Sequence, residues 1–378
     1  MYHRQKIGFF INPFILYIFT FLLSFLLLSL GWSELFPKQN NILFYFLLFT
    51  FLISFVFSFL IKTNYKKLDI TISRYGFYFI IFGYFCDFIY AGYIPVIRFI
   101  LGDLKFTHFG GIPTFHVILV SYNVYYAIRL FQKFLFSGLK KYKIRFLLVF
   151  IPSILMFNRG MMVSIILPCL ILYIYYKKNF FKVFLFLIVF LYLFGMLGNI
   201  RLRSNEEDIF SEMARPSEQF KELKIPTIYL WTYMYVASPL ANLSNSMNKG
   251  YREENLQAFL FENFIFDFLS KRVYTSNIKY EKYLISPIFN VSSMFFRSYI
   301  TMGLFGLFIF WSFNVFIVIL INRIFSTKSE YALTVNAILS SIMVLNFFSN
   351  MWVFSAISFP LIWCIFFSSI RGLRKWFI

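Results

Sequence analysis

Apolar residues fall along this chain in long unbroken runs, not at the alternating spacing of a half-buried strand or the three-to-four spacing of a surface helix. Runs of about 17–25 such residues cross a bilayer as helices, because a helix satisfies its own backbone polar groups where no water can. Ten spans are predicted, at 9–32, 42–61, 75–92, 113–131, 146–158, 161–176, 183–198, 299–321, 332–347 and 353–370. The run 146–158 is short and needs 161–176 beside it to close an abbreviated hairpin. Two weaker stretches lie in the long interval between the seventh and eighth spans. IYLWTYMYVASPLANL (228–243) has the Tyr and Trp content of a water–lipid boundary, as a re-entrant or interfacial helix would. LQAFLFENFIFDFL (256–269) is similar, with Glu262 and Asp267 breaking its apolar character. Full crossing by both would raise the count to twelve. The pattern therefore predicts an all-α polytopic membrane protein with three parts: an N-terminal bundle (1–198), a large loop (199–298) and C-terminal helices (299–378). No internal repeat and no low-complexity linker interrupts it.

Composition sharpens this reading. A chain of 378 residues that is 60% hydrophobic and 24% aromatic, with mean hydropathy +0.72, is not a soluble globular protein. The net charge of +20 at first suggests nucleic acid, but its distribution excludes that partner. The long loop holds eleven of the sixteen acidic residues and twelve of the thirty-six basic ones, so its charges nearly cancel. Six connections and tails on one side carry twenty Lys and Arg, and the short connections on the other carry four: Lys38, Arg98, Lys105 and Arg159. That asymmetry predicts both termini on the cytoplasmic side and the long loop outside. Membrane lipid is thus the partner that the surplus charge addresses. The first run, 9–32, is too long for a signal-peptide core and has no small-residue cleavage pattern after it, so it is expected to remain as a span. Cys86, Cys169 and Cys364 all fall within apolar runs, which suggests neither a disulfide framework nor a metal site.

Candidate chemistry is concentrated on the loop side. Arg159, in Phe157-Asn158-Arg159-Gly160, is a cation between two apolar runs. Asn158 can cap the following helix, and Gly160 opens its first turn to an anion. Together with the guanidinium this suggests a phosphate seat; the plain alternative is a hairpin turn whose arginine reaches the interface. Arg201 and Arg203, leaving the seventh span, and Arg215 ahead of Pro216 extend the set, since several guanidiniums suit a diphosphate. Local pairing with Glu206, Glu207, Asp208 and Glu212 is the competing reading. Of the three histidines, His3 is incidental, while His108 and His116 flank an outside turn entering the fourth span. Either one is a candidate general base. Asp87, inside the third span, must face a partner or a polar cavity. Tyr233, Tyr235, Asn242 and Asn245, around Ser238-Pro239, suit sugar recognition by stacking and amide hydrogen bonds, or serve as ordinary interfacial residues. No nucleotide-phosphate loop, zinc-ligand spacing, nucleophile elbow or sugar-nucleotide Asp-x-Asp motif occurs.

The layout, with NRGMMVSIILPCLILYIYY, GNIRLR, YLWTYMYVASPLANL and the turn GGIPTFH, resembles the bacterial O-antigen polymerases of the Wzy type. The resemblance implies a GT-C-like fold in the bacterial inner membrane. It also implies a metal- and cofactor-independent glycosyltransferase working at the periplasmic face, which moves a growing glycan from undecaprenyl diphosphate onto a new lipid-linked repeat unit. A chain-length regulator and a flippase are the partners that such an enzyme implies. Carried onto this sequence, Arg159, Arg201 and Arg203 would neutralise the diphosphate leaving group. The base that deprotonates the acceptor hydroxyl is left among His116, His108, Glu206 and Glu207. An O-antigen ligase is a rival, but ligases of that kind resemble one another by a His in the large loop, and none lies between Gly198 and Ser298. A lipid-linked oligosaccharide flippase would be expected to have more spans and shorter loops. A membrane scaffold with a structured loop is the plainest alternative.

Overall fold

The computed structural model describes residues 8–102, 109–183, 185–186, 188–189, 213–224, 226–325 and 327–374. The apolar runs become helices because a helix satisfies its own backbone groups, and several begin on a residue that satisfies free amide groups at the start. Asn12 accepts from the Phe14 amide ahead of α1 (Pro13–Ser29), and Asn40 accepts from Ile42 and Leu43 ahead of α2 (Asn41–Ser58). Left-handed Gly92 and Gly138 end α3 (Arg74–Ala91) and α5 (Phe115–Ser137). A six-residue helix, α4 (Pro95–Ile100), follows α3 in what the pattern reads as a connection. Then come α6 (Lys140–Leu155) and α7 (Arg159–Lys177). Beyond the described part of the seventh predicted span lie α8 (Glu218–Glu222), α9 (Thr227–Asn248), α10 (Leu256–Asn263), α11 (Asp267–Val273) and a 3₁₀ turn (Tyr280–Tyr283). The chain closes with α12 (Met294–Ile324), α13 (Ala332–Leu345) and α14 (Ser355–Arg374). The described residues form helices and no strand; an isolated bridge joins Ser33 and Pro216.

Among the described residues, three helices are long and apolar enough to cross a membrane: Asn41–Ser58, Arg159–Lys177 and Met294–Ile324. Pro13–Ser29, Ala332–Leu345 and Ser355–Ile370 are apolar but shorter. This is compatible with membrane association. Helices α2 and α3 expose many large apolar side chains, among them Leu52 and Phe82, which is likewise compatible with a lipid surface.

The helices alternate between two ends of the bundle. At one end, which we term the basic end, Asn12 donates to Ser58 O, Asn322 donates to the Tyr65 hydroxyl, and Tyr175 donates to Tyr65 O. There the helices run on into the stretch expected to be connection: α5 reaches Ser137 and α6 starts at Lys140. Arg129, one of the twenty cations assigned above to the connections and tails of one side, is therefore inside α5 and buried. Its guanidinium donates to Glu330 O at 2.7 Å, pairs with the Glu330 carboxylate at 3.1 Å and lies over the Tyr331 ring.

The opposite end carries the long loop. The segment Ala214–Ser217 lies along the α1–α2 connection, with Glu34 N donating to Arg215 O and Ser217 N to Trp32 O. Helix α9 ties at both its ends to that same connection: the Trp32 amide donates to the Tyr233 hydroxyl, and Asn248 donates to Lys38 O. Helix α9 (228–243 in the sequence reading) is thus fastened to the α1–α2 connection. The second weak stretch divides into α10 and α11, of eight and seven residues, each too short to cross. Within α12, Gly303 adopts φ 60°, ψ −147°, and the helix breaks. The loop pairs with the backbone just before the break, Glu253 N and Asn255 N donating to Ile300 O and Thr301 O.

Candidate functional site

One stripe of α3 explains where the chemistry sits. Gly76, Ile80, Gly83, Tyr84 and Asp87 are its buried residues, spaced three and four apart on one face. A methyl group at Gly76 would meet Tyr122 and Tyr126, and one at Gly83 would meet Leu119, so both glycines let α3 press against α5. The last residue of the stripe, Asp87, is thereby brought against the start of α5, where His116 stands in the first turn.

Asp87 is fully buried, and both its oxygens are used. Oδ2 is 2.6 Å from His116 Nδ1, and Oδ1 accepts from the Ile112 amide at 2.9 Å. The carboxylate accepts only, so Nδ1 carries the proton in this pair and Nε2 is the basic nitrogen of the neutral ring. The turn that holds them requires Gly111, since a Cβ there would lie 2.7 Å from both Asp87 Oδ1 and His116 Nδ1. Phe109 packs edge-on against the imidazole, its centroid 5.4 Å away, and Phe88 and Tyr93 back Phe109. The His116 side chain retains 21% exposure. It is an imidazole oriented by a buried carboxylate and open on one side, the arrangement that a general base needs.

Among the described residues, the exposed arginines at this end of the bundle include Arg159, Arg98 and Arg272. Arg159 is the first residue of α7, whose N-cap, Asn158, accepts from Met161 N. The same Met161 places its sulfur 3.7 Å from the Tyr84 hydroxyl, one turn below Asp87 on α3. Arg98 lies over the face of Tyr93 at 4.3 Å, and its neighbour Phe99 packs on Phe157 at the α6–α7 hairpin. Arg272, on α11, donates to Thr114 Oγ1 at 2.7 Å, two residues from His116. Thr114 itself has φ 68°, a left-handed conformation uncommon for a threonine, and no side-chain cap to α5.

The remaining predicted residues are placed as follows. Arg215 is exposed, with its backbone in the left-handed region, and belongs to the corner formed with Trp32 and Ser33. His108, Arg201, Arg203, Glu206 and Glu207 lie outside the described residues, as does His3. The four residues suggested for sugar recognition do not form one surface. Asn242 donates to Phe289 O and Val291 O and accepts from Ile285 N, so its whole amide is engaged. Tyr233 is buried and accepts from the Trp32 amide, and Asn245 donates to Tyr283 O. Tyr235 is half-buried and stacks on Trp231. These groups bind the loop to itself and to the α1–α2 connection.

Two residues of this site, Arg98 and Arg272, were not singled out by the sequence. Arg272 stands in a polar stretch where a cation is ordinary and Arg98 in a short connection between predicted spans, and only their packing against Thr114 and Tyr93 sets them apart. The Asp87 stripe was readable in principle, as Gly76, Gly83 and Asp87 at helical spacing. The fold and site together define an all-helical, membrane-compatible protein with an oriented imidazole at its loop-bearing end. Comparison with protein-family models, with curated proteins and with solved structures finds no match to this chain.

Proposed function

We propose that this protein is a membrane-embedded glycosyltransferase that polymerises oligosaccharide repeat units carried on undecaprenyl diphosphate. The observation that carries this reading is the Asp87–His116 pair, open at the loop-bearing end of an apolar bundle and accompanied by exposed arginines. In the reaction, the acceptor hydroxyl attacks the anomeric carbon of the glycan on its lipid diphosphate. The new glycosidic C–O bond forms as the C–O bond to the diphosphate breaks. The hydroxyl proton passes to His116 Nε2, and the lipid diphosphate leaves as an anion. Asp87 holds the ring and stabilises the imidazolium that forms, the role an orienting carboxylate plays beside a histidine base. Arg159 is the residue assigned to the departing charge, supported by its place at a capped helix start, where amide groups also face an anion. The same reading places the chain in a bacterial inner membrane with ten crossings, both termini cytoplasmic, and the His116 end facing the periplasm.

The test is incubation of the purified, detergent-solubilised protein with the lipid-linked repeat unit of its source strain, with products resolved on a gel. A ladder is expected from the wild type. Removing the base in His116→Ala should slow its growth by about 10²–10⁴-fold, and Arg159→Ala should weaken it too. An undiminished ladder from His116→Ala removes that residue from the chemistry. No ladder, with movement of the intact lipid-linked unit across vesicles, makes the protein a transporter.

A further inference from the structure

A second cavity, of about 190 Å³, opens in the long loop between α10, α11 and the start of α12. Its most unusual member is Glu262, a carboxylate buried to 8% exposure. One oxygen, Oε2, accepts from the Tyr280 hydroxyl at 2.5 Å and lies 3.5 Å from Arg297 Nη1. The other, Oε1, has no hydrogen-bond partner among the described residues, and neither has Oδ1 of Asp267 on the same wall. A buried carboxylate oxygen left without a donor is costly, and the cost disappears when a ligand supplies one. Burial, and after it the bond to Glu262, holds the Tyr280 phenol well above its ordinary range, so Tyr280 remains a donor to the carboxylate.

The rest of the lining narrows the ligand class. Tyr274 stacks flat on Phe261, with centroids 5.2 Å apart and planes at 19°, and Arg297 covers the Tyr280 ring. Flat aromatic faces beside acceptor oxygens suit a ring that is apolar on its faces and hydroxyl-bearing on its edge. The lining cations, Lys271 and Arg297, match the two carboxylates in number, so the cavity favours a neutral ligand over a phosphate or an amine. Its volume lies below the roughly 300–1,000 Å³ of a pocket that holds a drug-sized molecule. It admits one sugar ring, not a whole oligosaccharide.

Helix α11 relates this cavity to His116. Asp267, Ser270 and Lys271, spaced at i, i+3 and i+4, line the cavity from one face of the helix, and Tyr274 joins them just past its end. Arg272 points elsewhere and donates to Thr114. A helix with its side chains is about 10–12 Å across, so a ring in the cavity is not the ring reacting at His116. We infer that the cavity is a subsite for one neutral, hydroxyl-rich sugar of the oligosaccharide, at a position removed from the reacting residue, with Glu262 and Asp267 accepting its hydroxyls. This rests on the glycosyltransferase reading, and it makes the cavity the place where the repeat unit's identity is checked.

The probe is the repeat-unit oligosaccharide released from its lipid by mild acid, followed by saturation-transfer NMR with the full-length protein in detergent. Saturation is expected to concentrate on one ring. Ser276 is an exposed residue of the cavity rim, and Ser276→Trp should abolish the transfer. Glu262→Gln, which replaces a charged acceptor by a neutral one, should raise the dissociation constant roughly tenfold. Matching size-exclusion profiles establish that both variants fold. Binding unchanged in both variants, or no saturation of the oligosaccharide by wild-type protein, overturns the subsite. The gel ladder decides the reaction separately. A ladder without saturation sinks the subsite alone, whereas saturation lost in Ser276→Trp without a ladder leaves a carbohydrate site and sinks the polymerase.

Discussion

Gly111 is the residue on which the proposed base depends most sharply. Its missing Cβ is what allows Ile112 N and His116 Nδ1 to close on the two oxygens of Asp87. In Gly111→Ala the methyl would sit 2.7 Å from an oxygen and a nitrogen that have nowhere to retreat, since Asp87 is fully buried. The pair must part. We expect a loss of ladder formation approaching that of His116→Ala, with an overpacking cost of about 1–3 kcal/mol seen as a lowered Tm. Wild-type activity in this variant would show that the pair does not act in the reaction. Asp87 and His116 were each legible in the sequence, one as a buried charge in need of a partner and one as a candidate base. Their pairing was not, because 29 residues separate them and a turn of unknown path lies between. Asn158 was simpler to read, since a cap acts within three residues of its own position.

Among the elements, α12 departs furthest from its sequence expectation. The run 299–321 reads as one straight span, yet the helix begins at Met294 and breaks at Gly303. The φ/ψ at Gly303 is accessible to glycine and strained for any residue with a Cβ. Arg252 also packs 3.3–3.5 Å from where that Cβ would be. Gly303→Ala is expected to cost about 1–3 kcal/mol in thermal unfolding. It should also raise proteolysis of residues 251–255, whose amides at Glu253 and Asn255 bond the carbonyls beside the break. Unchanged Tm and proteolysis would show that the helix can run straight and that the loop does not depend on the break. Apolar runs do not reveal such a break, because glycine within a membrane helix is also common as a packing residue. The same holds for α9, whose composition fits a crossing helix and a surface helix alike. Its hydrogen bonds to Trp32 and Lys38, which tie it to the α1–α2 connection, are not written in that composition.

For the whole molecule, the proposed topology places the two ends of the bundle in different compartments. Single cysteines substituted for Ser276, in the long loop, and for Lys140, at the start of α6, test it, as both residues are exposed. In intact cells a membrane-impermeant thiol reagent should label the first and spare the second until the membrane is opened. Labelling of both at once, or of Lys140→Cys alone, would overturn the arrangement. The sequence by itself determined that the chain is helical and apolar, where its long helices run, and that its acidic residues gather in one loop. Those properties follow from transfer free energies and backbone hydrogen bonding, which add up along consecutive residues. Tertiary structure alone decided which polar groups meet. Arg129, counted with the cations of the short connections, is drawn inside by a carboxylate 201 residues away. Asn242 is turned from a possible sugar ligand into a pin for three backbone groups. A buried polar side chain takes whatever partner packing places within reach, and that choice is made in space, where the linear pattern carries no record of it.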